Sequence, residues 1–364
     1  MGKFKRAFAR LRDPRAANAQ HPLLEILVIA LAATLCGAQS ACEMALFGRS
    51  KEAVLRQFLR LEHGVPSHDT FSRVFRLLNP AAFECQFRRF MAGFAKQLAG
   101  VVAVDGKALR RAYERGGAAT PMQMVNVFAA ETRMVLASRK APGRNEALGA
   151  VEVLELLCLE GCIVTADALH CSRPFAGKVL QRGADYVLAL KQNQGKLHQA
   201  VVQCFARSGP RRSAKQLQPA THDRREARTA TVIRNTALAL AQDFPGIRAI
   251  GRITSRRRQL GASKADRVAV RYFLLSKYLT PQQLLQTTRS HWSIENQLHW
   301  MLDVNFNEDA CRARTDNAPE NLAILHRLAI NIIRSHPDPI SMRQKIKRAA
   351  WEDGYLLAIL SHMR

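Results

Sequence analysis

Acidic residues are scarce in this 364-residue chain. It contains 29 aspartates and glutamates against 55 lysines and arginines, which gives a formal net charge of +26. An excess of this size attracts polyanions over a long range, and nucleic acid is the most common polyanionic partner of a basic protein. A merely solvated basic surface would leave the self-repulsion of the chain uncompensated. The charge therefore predicts a nucleic-acid-binding protein.

Paired cysteine motifs and long hydrophobic runs are also missing. The eight cysteines are scattered without a CxxC pair, which argues against a zinc ribbon or a thioredoxin-like motif. The strongly apolar stretch 23–36 is too short to cross a bilayer and contains Glu25. Residues 35–41 weakly resemble a signal-peptide cleavage site, but no disulfide pattern follows them. We expect a core helix of a cytoplasmic, nucleoid-associated protein without a membrane segment.

Residues 1–98 are predicted to form an all-helical N-terminal domain. Apolar residues with helical spacing place helices at 22–36, 39–46, 51–59, 68–77 and 80–98. The helix at 68–77 follows a short turn and carries arginines between its apolar residues, as the DNA-contacting helix of a helix-turn-helix would. An ordinary packing helix explains the same pattern equally well.

The pattern changes to α/β in residues 99–206. Strands are predicted at 101–106, 122–130, 133–140, 162–168 and 185–191, and helices at 146–158, 172–182 and 194–205. The order β-β-β-α-β-α-β-α indicates a mixed sheet flanked by helices. A β-rich basic insertion is expected over 207–278, and helices at 281–301 and 317–334 complete the domain over 279–340. A basic helical tail is expected over 341–364.

Two aspartates close apolar strands of the predicted sheet. Asp105 ends the first strand and Asp167 ends the fourth. A lone acid at such a position is often only a polar end-cap. In adjacent parallel strands, however, both side chains would emerge at the carboxyl edge, where open α/β sheets bind ligands. Two close carboxylates repel unless a cation lies between them, and Mg²⁺ prefers such oxygen ligands together with water and phosphate. The pair predicts a divalent metal site.

The third acidic ligand is expected on a helix that covers this edge. Glu295 lies four residues from His291 on one side and from His299 on the other. Histidines eight residues apart are separated by about 12 Å along a helix axis, too far to share one zinc ion. We expect these histidines to contact phosphate or to support packing. Glu308 is the alternative third ligand, although a surface or capping role explains it better.

Five ordered motifs resemble those of DDE transposases of the H-repeat-associated (ISAs-type) insertion-sequence family. They are RDPRAANAQHPLLEILVIAL, VVAVDGKALR, CIVTADALHCSR, DYVLALKQNQG and RSHWSIENQLHWMLDVNFNEDACRARTDNAPENLA, and the likeness extends over about residues 12–360. The resemblance implies an RNase H-like catalytic domain behind a helical N-terminal domain. It also implies that Asp105, Asp167 and Glu295 form a catalytic triad that binds two Mg²⁺ or Mn²⁺ ions.

The chain departs from the related branch at one position. That branch carries a lysine seven residues after the glutamate, where this chain has Leu302, whereas Arg289 and Glu295 keep the pattern. His299 or Arg312 would then contact phosphate instead. Positive neighbours are needed to admit DNA to a site of three carboxylates. The expected DNA-binding residues are Lys107, Arg110, Lys191, Asn193, Arg289, His299 and Arg312.

The resemblance implies a transposase that cuts and joins DNA at the ends of an insertion sequence. Its partners would be double-stranded DNA, namely the inverted-repeat ends and the target, and it would act as a homodimer on DNA. A catalytically inactive, transposase-derived DNA-binding protein is the alternative. A general nuclease of RNase H type would account for the acids but not for the N-terminal domain and the basic insertion.

Overall fold

The N-terminal part of the chain is helical in the computed structural model, as the sequence predicts. The structure describes residues 2–92, 99–113, 120–209, 212–217, 224–235, 237–238, 243–259 and 266–361. Residues 93–98, which the sequence assigns to the end of a helix, lie outside this set. The helices are α1 (Gly2–Phe8), α2 (Leu23–Leu35), α3 (Ala41–Ser50), α4 (Glu52–Leu55), α5 (His68–Leu77) and α6 (Pro80–Ala92).

Helix α5 shows how these helices join the rest of the molecule. It begins after Ser67, whose side chain accepts a hydrogen bond from the Thr70 backbone N–H, a standard N-cap. Its apolar face is buried in a cluster that also contains residues of α2, α6 and the C-terminal helices. Its outer face carries Arg76, which donates to Asp316 at 2.9 Å. The helical N-terminal part therefore shares one core with the end of the chain, and DNA contact by α5 stays a prediction.

A nine-stranded mixed sheet organises the rest of the chain. Its order is β3-β2-β1-β4-β5-β9-β8-β7-β6. β2 pairs antiparallel with β1 and β3, while β4 pairs parallel with β1 and β5. This arrangement confirms the predicted RNase H-like α/β fold. The strands are β1 (Val101–Leu109), β2 (Met122–Ala129), β3 (Met134–Lys140), β4 (Ile163–Ala166), β5 (Asp185–Leu190), β6 (Ser213–Leu217), β7 (Arg224–Arg234), β8 (Ala249–Gln259) and β9 (Arg267–Leu275).

The β-rich segment after residue 206 extends this sheet. β9 pairs antiparallel with β5, and β8, β7 and β6 follow outward in turn. The pairing with β9 supplies hydrogen-bond partners for the backbone of β5, which would otherwise be an unpaired edge strand. Three helices connect or follow the inner strands: α7 (Glu146–Leu154), α8 (Arg173–Gln181) and α9 (Gly195–Arg207). The division of the chain into domains at residues 98, 206, 278 and 340 stays a prediction.

The helix predicted over 281–301 is confirmed but is not regular, because the structure divides it into three consecutive helical segments. They are α10 (Pro281–His291), a π-helix (Ile294–His299) and α11 (Trp300–Phe306). In the π-helix the Trp300 N–H donates to the carbonyl of Glu295, five residues earlier. Helices α12 (Ala318–Ser335), α13 (Met342–Trp351) and α14 (Asp353–Ser361) close the described chain, and Pro319 lies in the first turn of α12 as predicted. Within the described residues, no helix is long and apolar enough to span a membrane.

Candidate active site

The two aspartates lie on neighbouring parallel strands. β1 and β4 pair from Val101 with Ile163 to Val104 with Ala166, so Asp105 and Asp167 are the next residues on each strand. The predicted adjacency of the two strands is therefore confirmed. Asp105 does not end its strand, in contrast to the prediction. β1 continues to Leu109 because β2 stays paired with it, and Asp105 lies opposite Asn126.

The Asp105 carboxyl group is largely buried and surrounded by other acids. Its Oδ1 accepts a hydrogen bond from the Gly106 backbone N–H at 3.0 Å. Burial raises its pKa to about 7, and the negative charges of Asp167, Glu146 and Glu295 act in the same direction. A buried acid among other acids gains from a proton or a cation. The position thus favours a bound cation at neutral pH.

Asp167 lies in a more polar environment. Its Oδ1 accepts hydrogen bonds from the Leu169 N–H at 2.9 Å and from the His170 Nδ1 at 2.9 Å. Burial acts to raise the pKa of Asp167, but these hydrogen bonds and the neighbouring imidazole outweigh it, so the pKa lies below its ordinary value. The pKa values of Asp105 and Asp167 are therefore displaced in opposite directions, as is common for acids with different roles at one site.

Glu295 and Asp167 both line a cavity of about 230 Å³. Burial raises the pKa of Glu295, Asp167 raises it further, and Arg271 opposes both. Glu295 belongs to the π-helix, a rare form that often occurs at functional sites. The acidic, basic and histidine side chains that line this cavity, called the Glu295 cavity below, are Asp167, Lys191, Arg228, Arg271, His291 and Glu295. The cavity thus brings two acidic side chains close to cationic ones.

The two histidines beside Glu295 are not cationic at neutral pH. His291 Nδ1 lies 3.1 Å from the Thr165 hydroxyl, and burial lowers its pKa to about 4. His299 Nδ1 lies 3.7 Å from Asp105 Oδ2. Burial first, and then the charges of Arg327 and Lys107, lower the pKa of His299 to about 3. A phosphate contact by His299 would consequently be a neutral hydrogen bond and not an ion pair.

The other expected DNA-binding residues have different surroundings. The Lys107 ammonium is buried and lies 2.7 Å from Asp303 Oδ1 and 3.3 Å from Asp309 Oδ1. Asn193 donates to the carbonyl of Ala168 at 2.6 Å, which holds the loop after Asp167. Lys191 lines the Glu295 cavity, whereas Arg110, Arg289 and Arg312 are exposed. Of the seven, Lys191 and His299 are therefore next to the acids, and Lys107 is already paired.

Sequence reasoning overlooked several residues of this site. Glu146, the first residue of α7, is among the acids that raise the pKa of Asp105. His170 is fully buried three residues after Asp167. The Arg271 guanidinium lies 5.2 Å from the ring centre of Trp292. The motif TADALH signals His170, since a histidine close to a predicted ligand often supports it, but no local pattern marks Glu146 or Arg271.

Glu308 is a buried residue and not the surface or capping residue that the sequence suggests. Its carboxylate is 1% exposed and lies 2.7 Å from the Arg327 guanidinium, which is fully buried. Burial alone would raise the pKa of Glu308, but Arg327 and His326 hold it well below its ordinary value. The ion pair with Arg327 already engages the Glu308 carboxylate, which argues against Glu308 as a third metal ligand.

The carboxylates of this site are suitable ligands for Mg²⁺ or Mn²⁺ if two of them bind each ion. Within the described ranges, no three His, Cys, Asp or Glu side chains converge closely enough to hold one ion between them. Mg²⁺ is commonly held by one or two carboxylates, with water and substrate phosphate completing its shell. Asp105 and Asp167 are the candidates for one such pair, and the raised pKa of Asp105 indicates that a positive charge would be favoured there.

Comparison with known proteins identifies the family. Residues 96–332 match the family described as Transposase DDE domain, and residues 5–91 match the family described as DDE_Tnp_1-associated. The "H repeat-associated putative transposase YhhI" of Escherichia coli is 30% identical over 353 residues, 94% of this chain and 93% of that protein. The similarly named YbfD of the same species is 28% identical over 219 residues, 59% of this chain and 87% of that protein.

A solved transposase structure also aligns with this chain. A piggyBac transposase synaptic complex with hairpin DNA aligns with a TM-score of 0.48 at 14% identity, over 100% of this chain and 77% of that one. The family match to residues 96–332 covers well over half of the chain. The chain belongs to the DDE transposase family.

Proposed function

We propose that this protein is a DNA transposase that carries out metal-dependent strand cleavage and strand transfer at the ends of an insertion sequence. The observation that carries the proposal is the placement of the acids. Asp105 and Asp167 follow the last paired residues of two adjacent parallel strands, and Glu295 lines the same cavity as Asp167, together with cationic side chains. Membership of the DDE transposase family supports the same function.

The residues of the site have separate roles in this proposal. Two divalent ions, when bound, would stabilise the attacking and the leaving oxygen of an in-line phosphoryl displacement. Asp105 and Asp167 would hold one ion, and Glu295 would complete the binding of the other. Lys191 and Arg271, which line the Glu295 cavity, would hold the DNA phosphate beside the acids. The chain forms no covalent bond with DNA.

The outer strands supply a surface for the DNA duplex. In the β7–β8 pair Arg225 lies directly opposite Arg258, and in the β8–β9 pair Arg257 lies directly opposite Arg267. Like charges directly opposite each other destabilise a sheet. Glu226 lies 3.3 Å from Arg257 and partly offsets its charge, whereas Arg225 and Arg258 lie opposite each other, so this part of the sheet favours an anionic partner. We propose that this extension binds the duplex at the inverted repeats or at the target. A homodimer would bring the two ends together.

Substitution of the acids tests the proposal. Asp105→Asn and Glu295→Gln should abolish Mg²⁺-dependent cleavage of a duplex that carries the element's own inverted repeat, while binding of that duplex persists. Asp266→Asn, at an exposed position, is the control and should cut normally. Normal cleavage by either active-site variant would refute the assignment. A wild-type protein that binds the repeat but performs neither cleavage nor strand transfer would be the inactive DNA-binding alternative.

A further inference from the structure

A buried chain of polar groups lies behind Asp167. His170 is fully buried, with its Nδ1 2.9 Å from Asp167 Oδ1 and its Nε2 3.3 Å from Glu146 Oε1. Glu146 lies against Gly106, the residue after Asp105, because a Cβ on Gly106 would be 2.1 Å from the Glu146 carboxyl carbon. The chain Glu146–His170–Asp167 therefore connects the two strands that carry the aspartates.

The hydrogen bonds at Asp167 all engage the same oxygen. Oδ1 accepts from the backbone N–H of Leu169 at 2.9 Å and of His170 at 3.4 Å, and from the His170 ring at 2.9 Å. An ionised carboxylate only accepts hydrogen bonds, so the ring nitrogen Nδ1 must carry a hydrogen. With Oδ1 held by three donors, Oδ2 is the oxygen left available to a ligand.

The other ring nitrogen explains the presence of Glu146. His170 Nε2 is buried and makes no hydrogen bond of regular geometry within the described structure. The Glu146 carboxyl group at 3.3 Å is the polar group that faces it. A buried polar atom is costly to leave without such a neighbour. A bare Nε2 and a carboxylate oxygen both only accept, so this contact needs one further hydrogen, on Nε2 or on the Glu146 carboxyl group. With that hydrogen, Glu146 keeps the imidazole turned with Nδ1 toward Asp167.

We infer that His170 is a positioning residue that orients Asp167 for a metal ion, and that Glu146 holds the imidazole in place. The inference rests on the proposed function, because it assigns roles within the same site. A ring that served only to pack against Phe175, whose centre is 5.8 Å away, would not require either polar contact. Groups that orient a ligand in this way change metal affinity by about 10- to 100-fold when they are removed.

Two substitutions of His170 separate positioning from packing. The amide nitrogen of His170→Asn can occupy the place of Nδ1 and still donate to Asp167, whereas that of His170→Gln reaches only the place of Nε2. Both variants lose the ring beside Phe175, so their melting temperatures should fall by similar amounts. Calorimetry with Mn²⁺ and without DNA should show affinity near wild type for Asn and about 10- to 100-fold weaker for Gln. Equal affinities in the two variants would overturn the inference.

Substitutions of Glu146 test the second contact. Glu146→Gln keeps a polar group that can face Nε2, so Mn²⁺ affinity should stay near wild type, whereas Glu146→Ala should weaken it. Gly106→Ala should weaken it as well, because the added methyl group displaces the Glu146 carboxyl group. An equal loss in Glu146→Gln and Glu146→Ala would make Glu146 a metal ligand and would refute the positioning role.

Two further measurements keep this inference distinct from the proposed function. Nitrogen-15 NMR of the histidine rings, assigned by the spectrum of His170→Gln, should show a proton on Nδ1 of His170. A ring protonated only on Nε2 would contradict the inference. DNA cleavage by Asp167→Asn would instead refute the proposed function. If Asp167→Asn is inactive while His170→Gln keeps full Mn²⁺ affinity, only the positioning role fails.

Discussion

Asn126 lies directly opposite Asp105 in the β1–β2 pair, and its amide group joins the acidic site to the interior of the protein. Its Oδ1 accepts a hydrogen bond from Arg327 Nε at 2.6 Å, and its Nδ2 lies 3.4 Å from His299 Nε2. Arg327 in turn pairs with Glu308. The back of the active site is therefore formed by a buried ionic network on α12 and on the segment before it.

This network predicts a large stability effect. Arg327→Met should lower the free energy of unfolding by about 3–5 kcal/mol, because it leaves the Glu308 carboxylate buried without its partner. The double variant Arg327→Met/Glu308→Leu should recover part of that loss. Chemical denaturation measures both. Arg56→Met, which breaks an exposed pair with Glu52, is the control and should change stability far less. A single variant as stable as wild type would show that the network does not stabilise the fold.

Asp105 predicts how stability depends on pH in the absence of metal. Its pKa rises from 3.8 to about 7 in the folded protein. Asp105 therefore contributes its full stabilisation below pH 3.8, its pKa in the unfolded chain, and this stabilisation is lost as the pH rises through about 7. Metal-free Asp105→Asn should match wild type at acidic pH and exceed it above neutrality, by up to about 4 kcal/mol.

Thermal melts of both proteins across this pH range, with a chelator present, measure the difference. Saturating Mg²⁺ should remove the advantage of Asp105→Asn, since the ion stabilises the ionised carboxylate of the wild type. Asp266→Asn serves as the exposed control and should follow wild type at every pH. A constant difference between Asp105→Asn and wild type across the range would contradict the raised pKa.

Two lysines predicted to bind DNA should behave differently. The ammonium of Lys107 is buried between Asp303 and Asp309, so Lys107→Met should cost about 1–3 kcal/mol of stability. It should leave the salt dependence of DNA binding unchanged. Lys191→Met, in the Glu295 cavity, should weaken DNA binding with little effect on stability. DNA titrations at several salt concentrations measure the effect on binding, and thermal melts measure the effect on stability. Weaker DNA binding by Lys107→Met together with a loss of stability in Lys191→Met would show that Lys107 is the phosphate contact.

Substitution of two arginines of β8 should affect DNA binding more than stability. Arg257→Ala/Arg258→Ala removes two like-charged cross-strand pairs, but it also removes the 3.3 Å ion pair of Arg257 with Glu226, so the stability of the free protein should stay close to that of wild type. If both arginines contact phosphates, the slope of log affinity against log salt concentration should fall by about 2. Arg343→Ala/Lys347→Ala, on α13, removes the same charge and is the control. An unchanged slope in the β8 variant would place the duplex elsewhere.

The sequence by itself determined the inner strands and the meeting of the two aspartates. A strand-length apolar run that ends in an acidic residue can be recognised from the local sequence alone. When two such strands are parallel neighbours, their acidic ends lie at the same edge of the sheet. Helix α5 is likewise local, because the Ser67 cap and the spacing of Phe71 and Val74 define it. The family motifs added Glu295, which the polar face of its helix had already suggested.

Only the tertiary structure decided what surrounds those acids. Asp105 lies within its strand because β2 stays paired beyond the end of β4, and the π-helix around Glu295 breaks the simple helical period. The contacts of Lys107 with Asp303 and of Arg327 with Asn126 join residues almost 200 positions or more apart. Local propensity carries no information about such partners. They are set by which buried charges the packing brings together, since a charge without a partner is too costly to bury.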